Sequence, residues 1–202
     1  MAYGKVVSLV VSLFVVTRVQ SYPSGAPTGV CSSMLPSHPP ASPSNNTSIY
    51  TVNFTVNAYK PGQAVSVKIA GNQYKGFLLE ARDAGQNIVG SWISPPSNCK
   101  LITCTTGNDA VTHSDNTPKV PSLLFQWKAP SENCPSKVTF YATVVQSEYV
   151  FWTMLKSADL QLDSTSFCPT TKNNAAPKMG HTSYTFFYTV TLFLFTSCLL
   201  NI

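Results

Sequence analysis

Hydrophobic and polar residues alternate along most of the middle of the chain. Val52, Phe54, Val56 and Ala58 are interleaved with Asn53, Thr55 and Asn57, the period-two pattern of a half-buried strand. A Lys60-Pro61-Gly62-Gln63 turn follows, then a second alternating run, Ala64 to Ile69. The stretches at 87–93 ("NIVGSWI"), 120–127 ("VPSLLFQW"), 137–146 ("KVTFYATVVQ") and 149–155 ("YVFWTML") are β-branched and aromatic, and Gly, Pro and Asn punctuate them. Pro121 limits the start of its run to an entry or edge position. No segment carries a long helical period. The pattern predicts an all-β, antiparallel β-sandwich.

One stretch sets charge inside an apolar run: "NQYKGFLLEARDAG", residues 72–85. On a strand, residues two apart share a face. Phe77, Leu79 and Ala81 are therefore expected to face the core, and Leu78, Glu80 and Arg82 to face water, with Asp83-Ala84-Gly85 opening a turn. Glu80 and Arg82 then form an exposed pair worth ~0–1 kcal/mol. Glu80 and Asp83 point apart, which argues against a paired acid and base.

The two ends read differently from the middle. Residues 1–21 combine Lys5, an apolar run from Val6 to Val16, and Val19-Gln20-Ser21, the layout of a secretory signal peptide cleaved after Ser21. Residues 184–202 ("YTFFYTVTLFLFTSCLLNI") are uncharged. Small residues at 173–175 and a spacer to Ser183 precede them, which predicts a GPI-attachment signal with Asn174 as the candidate attachment residue. A retained membrane helix is the other reading of this tail. Residues 22–168 remain as the folded domain, followed by a linker from 169 to 183.

Processing changes the charge. The whole chain carries thirteen Lys and Arg against eight Asp and Glu. Loss of Lys5, Arg18 and Lys178 leaves ten against eight. With no Lys/Arg run, nucleic acid is not an expected partner. Of six cysteines, Cys198 lies in the tail, and the other five allow two disulfides and one odd thiol in an oxidising compartment. Cys99-x4-Cys104 lacks the second close pair that a zinc site needs. Sequons at Asn45, Asn46 and Asn53 are candidate N-glycosylation sites, and Asn53 falls on the polar phase of its strand.

Candidate chemistry is sparse. His113 lies near Asp109, Ser114 and Asp115, but the surrounding sequence has no Gly-x-Ser-x-Gly elbow, and neighbours on an extended segment point to opposite faces. His38 sits in the Pro/Ser-rich lead-in of residues 22–48, and His181 in the spacer. The sequence contains no Gly-rich phosphate loop, Cys-x-x-Cys or His-Glu-x-x-His. The expectation is a non-enzymatic domain with no cofactor and no metal.

Taken in order, several phrases resemble the Reeler domain, the N-terminal domain type of reelin: "YPSGAP" followed by Cys31, Met34, Pro36 and His38; "YKGFLLEARD"; "GSW"; "LITC"; "AVTHS"; "FQWKAP"; and "VTFYATVVQSEYVFW". The resemblance implies an immunoglobulin-like sandwich and a Cys31–Cys104 disulfide. It further implies a Cys134–Cys168 pair as in spondin-type members, with Cys99 left unpaired. Reeler domains also precede the haem-binding part of ferric-chelate reductases, and single-domain members are similar to insect defence proteins. The resemblance therefore implies an extracellular binding protein of innate defence, with a microbial surface as partner. An adhesion module for matrix or glycan is the alternative. The C-terminal anchor departs from the secreted insect pattern.

Overall fold

The computed structural model describes residues 22–46 and 48–171, and the expected signal peptide, Asn174 and the apolar tail lie outside them. Ten strands and one 3-10 turn (Thr28–Val30) make up the regular structure of the described residues. The strands are β1 (Thr51–Phe54), β2 (Ala58–Tyr59), β3 (Ala64–Ala70), β4 (Gly76–Arg82), β5 (Ser91–Ile93), β6 (Cys99–Ile102), β7 (Ala110–His113), β8 (Phe125–Lys128), β9 (Lys137–Ser147) and β10 (Val150–Leu162). They form a four-stranded sheet, β1-β3-β8-β5, and a six-stranded sheet, β2-β10-β9-β4-β7-β6. Every pairing is antiparallel except β10 with β2. The all-β sandwich expected from the alternation is the fold.

The inward phases of both sheets make the main core. Val65, Val67 and Ile69 of β3 meet Phe77, Leu79 and Ala81 of β4 and Val138, Phe140, Ala142 and Val144 of β9. Aromatic rings fill the space between the sheets. Trp127 lies edge-on to Phe140 at 5.3 Å and to Tyr59 at 5.7 Å, the T-shaped arrangement the ring quadrupole favours. The indole Nε1 of Trp127 donates to the carbonyl of Val89 at 3.0 Å. Gly90, at φ +71°, makes that approach possible, because a Cβ there would stand 2.5 Å from Nε1.

The structure departs from the expected strands where local chemistry overrides periodicity. The run 52–58 is two strands: the chain leaves the four-stranded sheet after Phe54 and joins the six-stranded one at Ala58. Pairing in 87–93 is confined to β5 apart from one bridge at Ile88, and pairing in 120–127 begins at Phe125. Gly90 and Pro121, which favour turns, precede both starts. Strands β6 and β7, each four residues long, have too few positions to display a period.

The largest correction concerns Leu78, Glu80 and Arg82. They do face away from the main core, but that face is dry: the three residues are 3%, 0% and 5% exposed. Every residue of β4 is buried. The lead-in folds back over the outer face of the six-stranded sheet, where Met34 closes a second small core with Leu78, Ala110 and Tyr141. The Glu80–Arg82 pair forms, at 2.7 Å, as a buried pair and not a solvated one.

Candidate functional site

The covering segment, residues 22–46, has little regular structure of its own, so side chains of the sheet and one disulfide fix its path. Cys31 is bonded to Cys104. Nη2 of Arg82 donates to the carbonyl of Cys31 at 2.6 Å and to that of Ser32 at 3.4 Å. Thr143 Oγ1 donates to the carbonyl of Met34 at 2.5 Å, and the Ala26 N–H donates to Thr112 Oγ1 at 3.0 Å. Trp152 Nε1 donates to the carbonyl of Asn46 at 2.6 Å. These contacts satisfy backbone groups that the segment, lacking a ladder, would otherwise bury unpaired.

The polar cluster under the segment is organised around Glu80. Its Oε2 accepts from Nε of Arg82 at 3.0 Å and from Nη2 at 2.7 Å. Burial pushes the Glu80 carboxyl up to about 7, against the pull of the Arg82 guanidinium, and the nearby Asp109 adds to the rise. Asp109 is itself buried. Burial would raise it too, but the hydroxyl of Thr105 and the N–H groups of Thr106, Cys104 and Thr105 outweigh that and hold it below the usual carboxylate range. Asp109 thereby shapes the loop that carries Cys104. The Arg82 guanidinium also lies 5.5 Å from the centre of the Tyr141 ring.

Cys31, Glu80 and Cys104 bring three potential metal-ligating atoms within 4.8 Å of one another. Both sulfurs are spent in the disulfide and cannot ligate as thiolates, and the carboxylate is paired with Arg82. The cluster is a structural clamp.

His113 ends β7 half-buried. Nδ1 accepts from the Phe77 N–H at 3.2 Å, and Nε2 lies 3.0 Å from the carbonyl of Tyr22, so the neutral Nε2–H tautomer satisfies both. Burial, chiefly, lowers its pKa. The acidic neighbours that suggested catalysis are occupied elsewhere, and Ser114 is tied down through its backbone. Asp109 holds the 104–106 loop, Asp115 accepts from Thr117 and Lys119, and the Ser114 N–H donates to the carbonyl of Asn98. His113 fastens the start of the covering segment to the end of β7.

Between the covering segment and the sheet lies a groove of about 310 Å³. Ala26, Val30 and Met34 form one wall, and Gly76, Leu78 and Val145 the other, with His113 and His38 among its lining. Lys75, Asn116 and Glu148, all exposed, also border it. Gly76 keeps the floor low, because a Cβ there would stand 3.1 Å from the His113 ring and 3.4 Å from Val145.

The remaining site residues lie away from the groove. A second disulfide joins Cys134 to Cys168, and Cys99 is unpaired and half-buried in β6. Asn45, Asn46 and Asn53 are exposed, Asn53 on β1 of the four-stranded sheet.

The sequence profile of the Reeler domain matches residues 29–167. This chain belongs to the Reeler domain family. Over 106 residues the Reeler chain is 36% identical to "Putative defense protein 3" of Antheraea mylitta, covering 50% of this chain and 63% of that protein. Over 100 residues it is 39% identical to ferric-chelate reductase 1 of Bos taurus, covering 46% of this chain and 16% of the reductase. The matched part is thus less than two thirds of either relative, and most of the reductase has no counterpart in the match. The crystal structure of the human F-spondin reeler domain superposes with a TM-score of 0.51 at 17% identity, covering 61% of this chain and 94% of that one. At that identity the likeness is one of fold.

Sequence reasoning named His113, Glu80, Arg82 and the lead-in separately. It missed that the lead-in covers the face on which Glu80 and Arg82 sit, with His113 fastening its start. The available signal was Leu78, a large apolar residue on the phase that alternation assigns to water.

Proposed function

We propose that this Reeler protein is a non-enzymatic binding module of innate defence that works outside the cell and recognises microbial surface material. The observation that carries the reading is the groove: a largely apolar site where His113 is committed to the Tyr22 carbonyl and the Phe77 N–H, and its neighbours Asp109 and Asp115 to other bonds. Apolar concave sites with few polar groups are the usual form of ligand sites. Similarity to the Antheraea mylitta protein supports a defence role. The two disulfides support an oxidising, extracellular setting. Within the same proposal the chain is glycosylated among Asn45, Asn46 and Asn53 and held to the cell surface by a GPI anchor at or near Asn174.

The test is phospholipase release of the protein from expressing cells, followed by mass spectrometry of the anchor and glycans. The released protein is then incubated with bacteria, with yeast and with immobilised matrix glycans. Retention on microbes but not on matrix is the expected result. Retention on matrix alone would replace the defence reading with an adhesion module. Reduction of ferric chelates by the purified protein would make it an enzyme.

A further inference from the structure

We infer that the groove takes a single acyl chain, with a small polar head at its charged border. This deepens the proposed function and rests on its reading of the groove as the binding site. The walls argue for a chain. Ala26, Val30 and Met34 on one side and Gly76, Leu78 and Val145 on the other offer aliphatic surface without a side-chain donor or acceptor. Thr143 and His113, which also line the space, already bond the carbonyls of Met34 and Tyr22 and the N–H of Phe77.

The polar border places the head. Lys75, Asn116 and Glu148 at the border supply both signs of charge and an amide, suited to a small head and not to an extended anionic polymer.

The groove, at about 310 Å³, is of the size that small-molecule ligands occupy. Exposed apolar residues continue the groove outward: Leu35 is 48% exposed, and Tyr149 and Val150, which follow the lining residue Glu148, are 61% and 40% exposed. These would meet a longer chain, or the lipid layer from which the chain is drawn.

The experiment uses the full chain produced through a eukaryotic secretory pathway, with dansyl-labelled undecanoic acid as a fluorescent probe. Dodecanoic acid and glycerol monolaurate serve as competitors. The expected result is saturable, one-to-one binding with enhanced, blue-shifted emission. Displacement by both competitors shows that the chain is what is read, and displacement by dodecanoic acid alone assigns a carboxylate head. Val145→Trp fills the groove and Ser147→Trp narrows its border, and each is expected to weaken binding by about tenfold or more, whereas Lys128→Ala on the other sheet leaves it unchanged. Ser147 is half-exposed, so that variant decides the matter if Val145→Trp does not fold. No binding by the folded protein, or binding that both Trp variants leave intact, overturns the inference. Microbe retention without probe binding would remove the acyl ligand and leave the defence reading standing. Probe binding without microbe retention would do the reverse.

Discussion

The guanidinium of Arg82 reaches across from β4 to the backbone carbonyl of Cys31, 51 residues earlier in the chain and 2.6 Å away. The same group neutralises Glu80. One side chain therefore links the buried charge of the sheet to the backbone of the segment that buries it.

Arg82→Ala is expected to cost about 3–5 kcal/mol, because it strands the Glu80 charge and leaves the Cys31 carbonyl without its donor. The double variant Glu80→Met/Arg82→Met should be markedly more stable than Arg82→Ala, since no charge is left unpaired. Urea unfolding of the three proteins checks this, and a double variant no more stable than the single would refute the account.

Glu80 gives stability a pH dependence. Its folded pKa, about 7, stands above the ordinary value of 4.5, so folding favours the protonated form. Its contribution is full below about pH 4.5 and is lost as pH rises towards about 7. In Glu80→Gln that part of the slope should vanish, as measured by unfolding free energy across the same interval.

His113 acts in the opposite sense. Burial lowers its folded pKa below the ordinary imidazole value of 6.5, so its contribution is present above that pH and is lost as pH falls through the folded value. Protonated Nδ1 can no longer accept from the Phe77 N–H. His113→Phe should remove this acid-side loss. Hydrogen exchange at Phe77 should then be faster than in the parent at neutral pH, where the parent keeps its acceptor.

Cys99 should resist alkylation in the native protein. Burial raises its thiol to about 11, which leaves little thiolate at neutral pH. Iodoacetamide labelling and peptide mapping are expected to show Cys99 modified only after denaturation. The four disulfide cysteines should stay unmodified until reduction. Rapid labelling of native Cys99 would contradict its placement in β6.

The sandwich was legible where strands are long enough to show their period, as in β3 and β9. Alternation also placed Glu80 and Arg82 on one face correctly. It misjudged that face because the cover comes from a Pro- and Ser-rich segment whose composition resembles solvated linker. Its path depends on contacts such as Thr143 with Met34 and Trp152 with Asn46, separated by 109 and 106 residues. The groove was illegible for the same reason, since its walls belong to distant parts of the chain. His113 drew notice for its acidic neighbours, yet its bonds are to backbone groups, which carry no sequence signature.

The second disulfide has a mechanical consequence. Cys134, bonded to Cys168, lies just before β9 begins at Lys137, while Val145, Ser147 and Glu148 line the groove at the far end of that strand. Eleven residues at about 3.3 Å each separate the two ends by roughly 35 Å. A pull at Cys168 enters the sheet through Cys134, at the end of β9 remote from the groove.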